Sequence, residues 1–509
     1  MSLRQLHRRR RRRVIPKSAK LALRLQQLGR ELVAGRLDYV EQQARLLLLD
    51  DGENPYAYNL LGLVAQRRRE PLLATELYEQ GLKCHPGNMV LRANYGHCLT
   101  DLGRHHQAVE QYQHALSTDP QQSQRTGLLN SLGRSYHLIG ESERGEHYLQ
   151  QALLLSPDNP RVLTNLAMLK RDCGDLSAAE QCCEQAIATD PNYGEPHFTL
   201  ATLLLLRGDY LRGWAEYEYR WQLQGISAYR SNKPSWDGQE SLAGKTIALP
   251  TEQGLGDTIQ FARYVGWLRS QGAEVVMTAR SPLVRFMSGW PGLKSVVPNG
   301  QGLRFDTFLP LMSAARHHGT TVETVPALPA PTEFRLPARP TISEFVRQNS
   351  QGTRLRIGIS WTGSPTNLGN IRRSCRLNDF AALAQIPSVQ LFNLNPGEHT
   401  RTALRGCQFP LVDLTPYLSD FADTAAAVQE LDLIVTIDTS LAHLAASLSR
   451  PTWVLLSPVP DWRWLLQRVD SPWYPSVKLF RQSSDHPNAW GPVFERVRDS
   501  LRALLRTRA

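Results

Sequence analysis

Three stretches of this 509-residue chain place chemically able residues at telling spacings. The first is TEQGLGDTIQFARY, residues 251 to 264. Gly254 and Gly256 stand between an apolar run and a helical pattern, where glycine lets the backbone turn tightly and approach a ligand closely. Asp257 falls at the helix start, a favoured place for a residue that only caps free amides. The second is IDTSLAHLAA, residues 437 to 446. Asp438, Thr439, Ser440 and Leu441 lead from a strand into a helix, whose unpaired amides and positive dipole end suit an anion such as a diphosphate. His443 lies one turn further in, where a histidine is more often packed or hydrogen-bonded than catalytic. The third is SWTGSPTNLGNIRRSCRL, residues 360 to 377, with Arg372, Arg373 and Arg376 in a Gly/Asn-rich loop. Those arginines either neutralise a departing diphosphate or are simply solvated. A fourth stretch, DWRWLLQRVDSPWYPSVKLFRQ (461 to 482), is dense in aromatics and reads as core or as a base-stacking platform.

The elements that must hold these residues follow from periodicity. Short apolar runs at Lys245–Pro250, Glu274–Thr278, Arg356–Ser360, Gln390–Leu394, Asp432–Ile437 and Thr452–Leu456 are mostly separated by helical patterns. Alternation of that kind predicts parallel sheets covered on both faces. Proline-rich 326–340 divides the runs into two Rossmann-like halves, 245–340 and 341–509, the second ending in a helix over Val493–Arg506. Ligands of such folds sit at the carboxyl ends of strands, here in a cleft between the halves.

The first half of the chain is repetitive. Pro86, Pro120, Pro157 and Pro191 recur at intervals of 34, 37 and 34 residues. Aligned on them, Leu61-Gly62, Tyr95-Gly96, Leu132-Gly133 and Leu166-Ala167 form one column. Ala74, Ala108, Gly145 and Ala179 form a second. Gly81, Ala115, Ala152 and Ala186 form a third, and Tyr78, Tyr112, Leu149 and Cys183 a fourth. Small residues where two helices cross, large ones between them and a proline after the second helix describe a stacked helix-pair array. The pattern resembles tetratricopeptide (TPR) repeats in spacing and in every column. About six units fit between residues 21 and 225, and the polar stretch 226–244 reads as a linker. On that division, a chain begun near Ser231 is expected to keep its ligand site.

Net charge is +11, which invites a nucleic-acid reading. Nine of those charges lie in residues 1–20, a basic tail containing the run Arg8–Arg13, which leaves +2 for the other 489 residues. A near-neutral body argues against nucleic-acid binding. The tail is expected to be disordered, solvated or in weak contact with anionic lipid or an acidic partner. It lacks the apolar core of an export signal, and no stretch of 18 apolar residues marks a membrane span. Seven cysteines without metal-ligand spacing fit a reducing cytoplasm. No acidic cluster suggests a metal site.

With these residues in place, the second half resembles the glycosyltransferase domain found behind TPR repeats in bacteria. That domain is related to lipopolysaccharide heptosyltransferases and has the GT-B fold; EQGLGDTIQFARY and DWRW…SPWYPS…LFRQ carry the likeness. The overall order is also similar to that of O-linked N-acetylglucosamine transferases and flagellin glycosyltransferases. The fold class expected is therefore an α-solenoid of TPR repeats followed by an α/β GT-B domain of two Rossmann-like halves. The resemblance implies that Asp257 is the catalytic base. It also implies that Asp438, Thr439, Ser440 and Leu441, with His443, match the donor-binding D-T-G-x-x-H element, Ser440 standing where glycine is usual. The substrate implied is a nucleotide sugar, without a cofactor or metal. The acceptor implied is a protein held by the repeats, flagellin being one example. A repeat scaffold with a non-catalytic domain and a transferase acting on a lipopolysaccharide or other glycan are the alternatives.

Overall fold

The computed structural model describes residues 17–118, 120–223, 226, 228–364, 370–483 and 489–507. The arginine run Arg8–Arg13 and residues 365–369 of the third motif lie outside them. By packing, the chain forms two compact units, residues 1–165 and 166–509.

Among the described residues the repeats comprise twelve helices in six antiparallel pairs. They are α1 (Lys17–Val33), α2 (Leu37–Asp50), α3 (Pro55–Arg67), α4 (Pro71–Cys84), α5 (Met89–Asp101) and α6 (His105–Leu116). There follow α7 (Gln122–Leu138), α8 (Ser142–Leu155), α9 (Pro160–Asp172), α10 (Leu176–Thr189), α11 (Gly194–Arg207) and α12 (Tyr210–Tyr217). Local chemistry fixes their ends. The Asn54 carboxamide accepts from the Tyr56 and Ala57 amides at the start of α3, with Pro55 in its first turn.

The columns are explained by close approach. A Cβ on Gly62 would lie 2.4 Å from the Tyr78 ring, one on Gly96 2.5 Å from Tyr112, and one on Gly133 2.5 Å from Leu149. In the fifth pair the large partner becomes Cys183, and Ala167 takes the glycine position in the same cluster. Large and small exchange so that helix spacing is kept. In the first unit, Asn94 donates to Asn59 and Asn165 to Asn130, at 2.7 and 2.8 Å, linking helices of successive pairs.

The second unit begins inside α9, not after the last repeat. Tyr210, Trp214 and Tyr217 of the last pair are 1–2 % exposed and share one core with both halves of the α/β region. Trp214 Nε1 donates to the Thr320 carbonyl (3.0 Å), Tyr217 Oη to Gln253 (3.0 Å), and Trp473 Nε1 to Tyr210 Oη (2.8 Å). The buried Arg220 donates to Glu252 (2.9 Å) and Ser313 (2.7 Å). The segment read as a linker also packs. Trp236 is buried, its amide donates to the Phe308 carbonyl (2.8 Å), and the Phe308 amide to that of Pro234 (3.2 Å). This backbone pairing covers a sheet edge. A chain begun at Ser231 therefore lacks a wall of its own core, contrary to the expectation from the repeat register alone.

Two parallel sheets follow, consistent with a GT-B-like domain. The first contains β1 (Thr246–Leu249), β2 (Glu274–Ala279), β3 (Leu293–Pro298) and β4 (Thr307–Phe308) in the order β3-β2-β1-β4. The second contains β5 (Leu355–Ser360), β6 (Val389–Asn393), β7 (Val412–Asp413), β8 (Leu433–Ile437), β9 (Thr452–Leu456) and β10 (Val477–Arg481), ordered β10-β9-β8-β5-β6-β7. The helices that matter to the site are α13 (Leu255–Phe261), α14 (Asn370–Arg373) and α15 (Ser440–Ser447); α16 (Gly491–Thr507) closes the outer face of the second sheet. β3, β4, β7 and β10 escaped the periodicity reading. β4 and β7 are two residues long, and β3 is half-exposed with Lys294 and Ser295 turned outward.

Strand order reverses between β1 and β4 in the first sheet and between β5 and β8 in the second. Open parallel sheets bind ligands outside the carboxyl ends of strands at such reversals. The loop after β1 carries Gly254 to Asp257, the segment after β8 carries Asp438 to Leu441, and the loop after β5 leads to the arginines.

Candidate functional site

α13 starts at Leu255 with Gly254 as its N-cap, so Asp257 sits in the first turn and not at the cap itself. Its Oδ2 reaches back to accept from the Gly254 amide at 2.7 Å. Its Oδ1 accepts from the Arg463 guanidinium. Arg463 also donates to Gln260 Oε1 (2.5 Å) and Asp461 Oδ1 (2.7 Å) and lies 4.1 Å over the Trp462 ring. Burial opposes its charge, but Asp461 and Asp257 outweigh that and hold its pKa above the usual range. The carboxylate of the first half is thus fixed by an arginine of the second. Each Asp257 oxygen keeps a further acceptor site for an incoming hydroxyl.

α15 runs directly against α13. A Cβ on Gly256 would come 2.8 Å from His443 Cδ2 and 3.5 Å from Ser440 Cα, so this position tolerates only glycine without a shift. His443 is buried, Nδ1 is 2.9 Å from the Tyr474 hydroxyl, and the ring stacks on Trp464 with centroids 5.4 Å apart. Burial first, then Arg463, Arg263 and Arg373, depress its pKa well below the ordinary value and keep it neutral. Leu441 is buried in the core, whereas Asp438, Thr439 and Ser440 are partly exposed at the strand end. Loss of water and the neighbouring Asp461 push Asp438 up to about 6, against the pull of Arg373, Trp464 and Arg463.

The three arginines of the third motif go to three different places. Asn395 Oδ1 accepts from the Ser360 hydroxyl and the Trp361 and Thr362 amides, fixing the exit of β5. Asn370 accepts from the Gly363 amide at 2.8 Å, and α14 follows. Arg373 packs beside Gly363, and its charge acts on Asp438 and His443. Arg372 pairs with Asp172 of α9. Arg376 is exposed, and its amide donates to Asp379 (2.8 Å).

The structure therefore brings Gly254, Gly256, Asp257, Asp438, Thr439, Ser440 and Arg373 to one region. It leaves Leu441 and His443 behind them in the core and Arg376 at the surface. The aromatics of the fourth stretch belong to the core: Trp462, Trp464, Trp473 and Tyr474 are at most 3 % exposed. What the motif reading missed is Arg463 between two of those tryptophans, with Asp461 and Gln260. A lone arginine in an aromatic run was the available signal.

Comparison with known proteins gives the class. Tetratricopeptide repeat models match residues 1–169 and 160–193, and the model of glycosyltransferase family 9 (heptosyltransferase) matches residues 384–487. The chain is a tetratricopeptide-repeat protein with a glycosyltransferase domain of heptosyltransferase type. The transferase match includes Asp438 to His443 and Arg463, and lies outside Asp257. Over 494 residues the chain is 26% identical to Protein FlbA of Caulobacter vibrioides, covering 90% of this chain and 80% of that one. A shorter likeness, 31% identity over 83 residues, is to the Sol locus transcriptional repressor of Clostridium acetobutylicum, 16% of this chain and 26% of that one. Among solved structures, Pseudomonas aeruginosa pilF matches with 21% identity and a TM-score of 0.35, over 40% of this chain and 91% of that one. No described helix is long and apolar enough to cross a membrane.

Proposed function

We propose that this protein moves a sugar from a nucleotide-sugar donor to a hydroxyl of a protein acceptor, without a cofactor or resident metal. The observation that carries the reading is the contact of the two strand-order reversals. Gly256, one residue before Asp257, touches Ser440 at the first turn of α15. A carboxylate and a helix N-terminus thereby share one cleft, the first suited to a proton and the second to a diphosphate.

In this reading the acceptor oxygen attacks the anomeric carbon and its proton passes to Asp257. The bond from that carbon to the diphosphate breaks, its electron pair staying on the phosphate oxygen. Arg463 and the Gly254 amide orient Asp257. The first turn of α15 receives the diphosphate, and Arg373 answers its growing charge. The repeats hold the acceptor. Flagellin is the acceptor to try first, on the resemblance to flagellin glycosyltransferases, and the cytoplasm is the compartment where donor and unfolded acceptor meet.

The test has two arms. Purified protein is incubated with each common nucleotide sugar, with and without EDTA, and nucleoside diphosphate release is followed. Intact masses of acceptors are compared in cells with and without the gene. A sugar-sized mass shift that needs the gene, with EDTA-insensitive turnover, is expected. No turnover of any donor would leave a repeat scaffold with an inactive domain.

A further inference from the structure

The end of α9 carries two residues, Arg171 and Asp172, that fall outside every repeat column. Asp172 Oδ1 lies 2.9 Å from the Arg171 guanidinium, and its Oδ2 pairs with Arg372. One carboxylate thus bridges two guanidiniums, one from a repeat helix and one from α14. The three side chains are 17–37 % exposed, so the group is recessed without being closed. Arg171 also donates to the Thr202 hydroxyl at 3.4 Å. Two cations sharing one anion leave a net positive charge, and neither guanidinium has its fork filled by a carboxylate of its own. That is the arrangement of an anion site, because planar forks side by side match phosphate oxygens. Burial lowers the Arg171 pKa, and burial together with Arg171 lowers that of Arg372, which is the repulsion an anion relieves. The location fits as well. Asp461, the partner of Arg463, lies close enough to favour the Arg171 charge, and Arg373 beside Arg372 acts on Asp438.

We propose that the fifth repeat completes the donor cleft, Arg171 joining Arg372 to bind the diphosphate of the nucleotide sugar, with Asp172 holding the two arginines together until it arrives. This rests on the transferase reading above and adds that a repeat helix contributes directly to ligand binding. Asp172 is a positioning residue and competes with the ligand for the same two cations. It makes a distinctive prediction: removing the carboxylate while keeping both arginines strengthens anion binding, whereas a merely structural latch would loosen.

The full-length protein and its Arg171→Met, Arg372→Met and Asp172→Asn variants are titrated calorimetrically with inorganic pyrophosphate at physiological salt. Melting curves confirm that each variant is folded. Either arginine substitution weakens pyrophosphate binding roughly tenfold, the usual scale of a charge-assisted contact. Asp172→Asn tightens it several-fold. An Arg171→Met variant with wild-type affinity overturns the proposal, and so does an Asp172→Asn variant weakened as much as Arg171→Met. Donor turnover by the wild type, measured on the same preparation, tests the transferase reading separately. Turnover with unaltered pyrophosphate binding in Arg171→Met would keep that reading and remove the repeat helix from the site.

Discussion

Cutting the chain at the end of the repeats, near Ser231, should destroy the catalytic unit, while cutting at Asn159 should leave it intact. The reason is quantitative. Tyr210, Trp214 and Tyr217 are buried against Phe261, Trp462 and Trp473, with ring centroids 5.3–6.5 Å apart among them. Aromatic side chains of this kind each bury about 200 Å², so the three cover roughly 600 Å². At about 25 cal/mol per Å² that is some 15 kcal/mol of burial, an upper figure because unfolded chains already bury part of it. Even half of it equals much of the roughly 5–15 kcal/mol by which a whole domain is stable. Removing α12 also leaves Glu252 without Arg220 and the Thr320 carbonyl without Trp214, and each buried group so stranded costs about 1–3 kcal/mol more. Residues 159–509 retain all of these partners, and Asn159 still caps α9 through the Arg161 and Val162 amides. Thermal and urea unfolding of the two fragments, followed by circular dichroism, decides the matter. The 159–509 fragment should unfold in one cooperative transition, and 231–509 should aggregate or show none. A cooperative melt of 231–509 within about 5 °C of the longer fragment, a difference of only 1–2 kcal/mol, would refute the reasoning.

Other outcomes follow from single contacts. Asp257→Asn should retain donor binding and lose about 10²–10⁴-fold in transfer rate, the usual worth of a general base; near wild-type turnover would make Asp257 a structural residue. Arg463→Met should lower kcat more than it raises KM for the acceptor, since it removes the group that orients Asp257, and equal effects on both would contradict that role. Nucleotide-sugar affinity should rise as pH falls from 7.5 to 5.5. Asp438 holds its proton up to about 6 and repels the diphosphate only when ionised, so Asp438→Asn should flatten the profile at the tighter value. In the repeats, Gly96→Ala should cost about 1–3 kcal/mol of stability, as overpacking does, because its Cβ meets Tyr112 at 2.5 Å. The cost should shrink in a Tyr112→Cys background, which reproduces the Ala167–Cys183 pair, and an unchanged cost in the denaturation series would refute the exchange.

The repeat columns were readable because each one records contact between helices close in sequence. Gly62 and Tyr78 meet within one helix pair, so a fixed period repeats the contact and the pattern becomes visible. The parallel sheets were readable where strands were long and apolar, as with Thr452–Leu456, which matched to the residue. They were missed where a strand is two residues long or half-exposed, since periodicity has nothing to count there. The end of the array was the weakest reading. Tyr210, Trp214 and Tyr217 obey the repeat register and at the same time build the α/β core, and a register cannot say which core a face will join.

The site divides along the same line. Gly254, Gly256, Asp257 and Asp438 to Ser440 announce themselves because strand–turn–helix junctions need particular residues within a few positions. Arg463 is 206 residues from Asp257, and Asp172 comes from a helix on the other side of the repeat boundary from Arg372. Neither pairing has a period or a local turn to reveal it. Within a repeat, moreover, the columns use only the positions that face a neighbouring helix, and the remaining positions are free to vary. Arg171 and Asp172 occupy such free positions. A repeat that must both stack and take part in chemistry has only those residues to spend on the chemistry, so a reading built on the columns passes over the very side chains that set this repeat apart from the others.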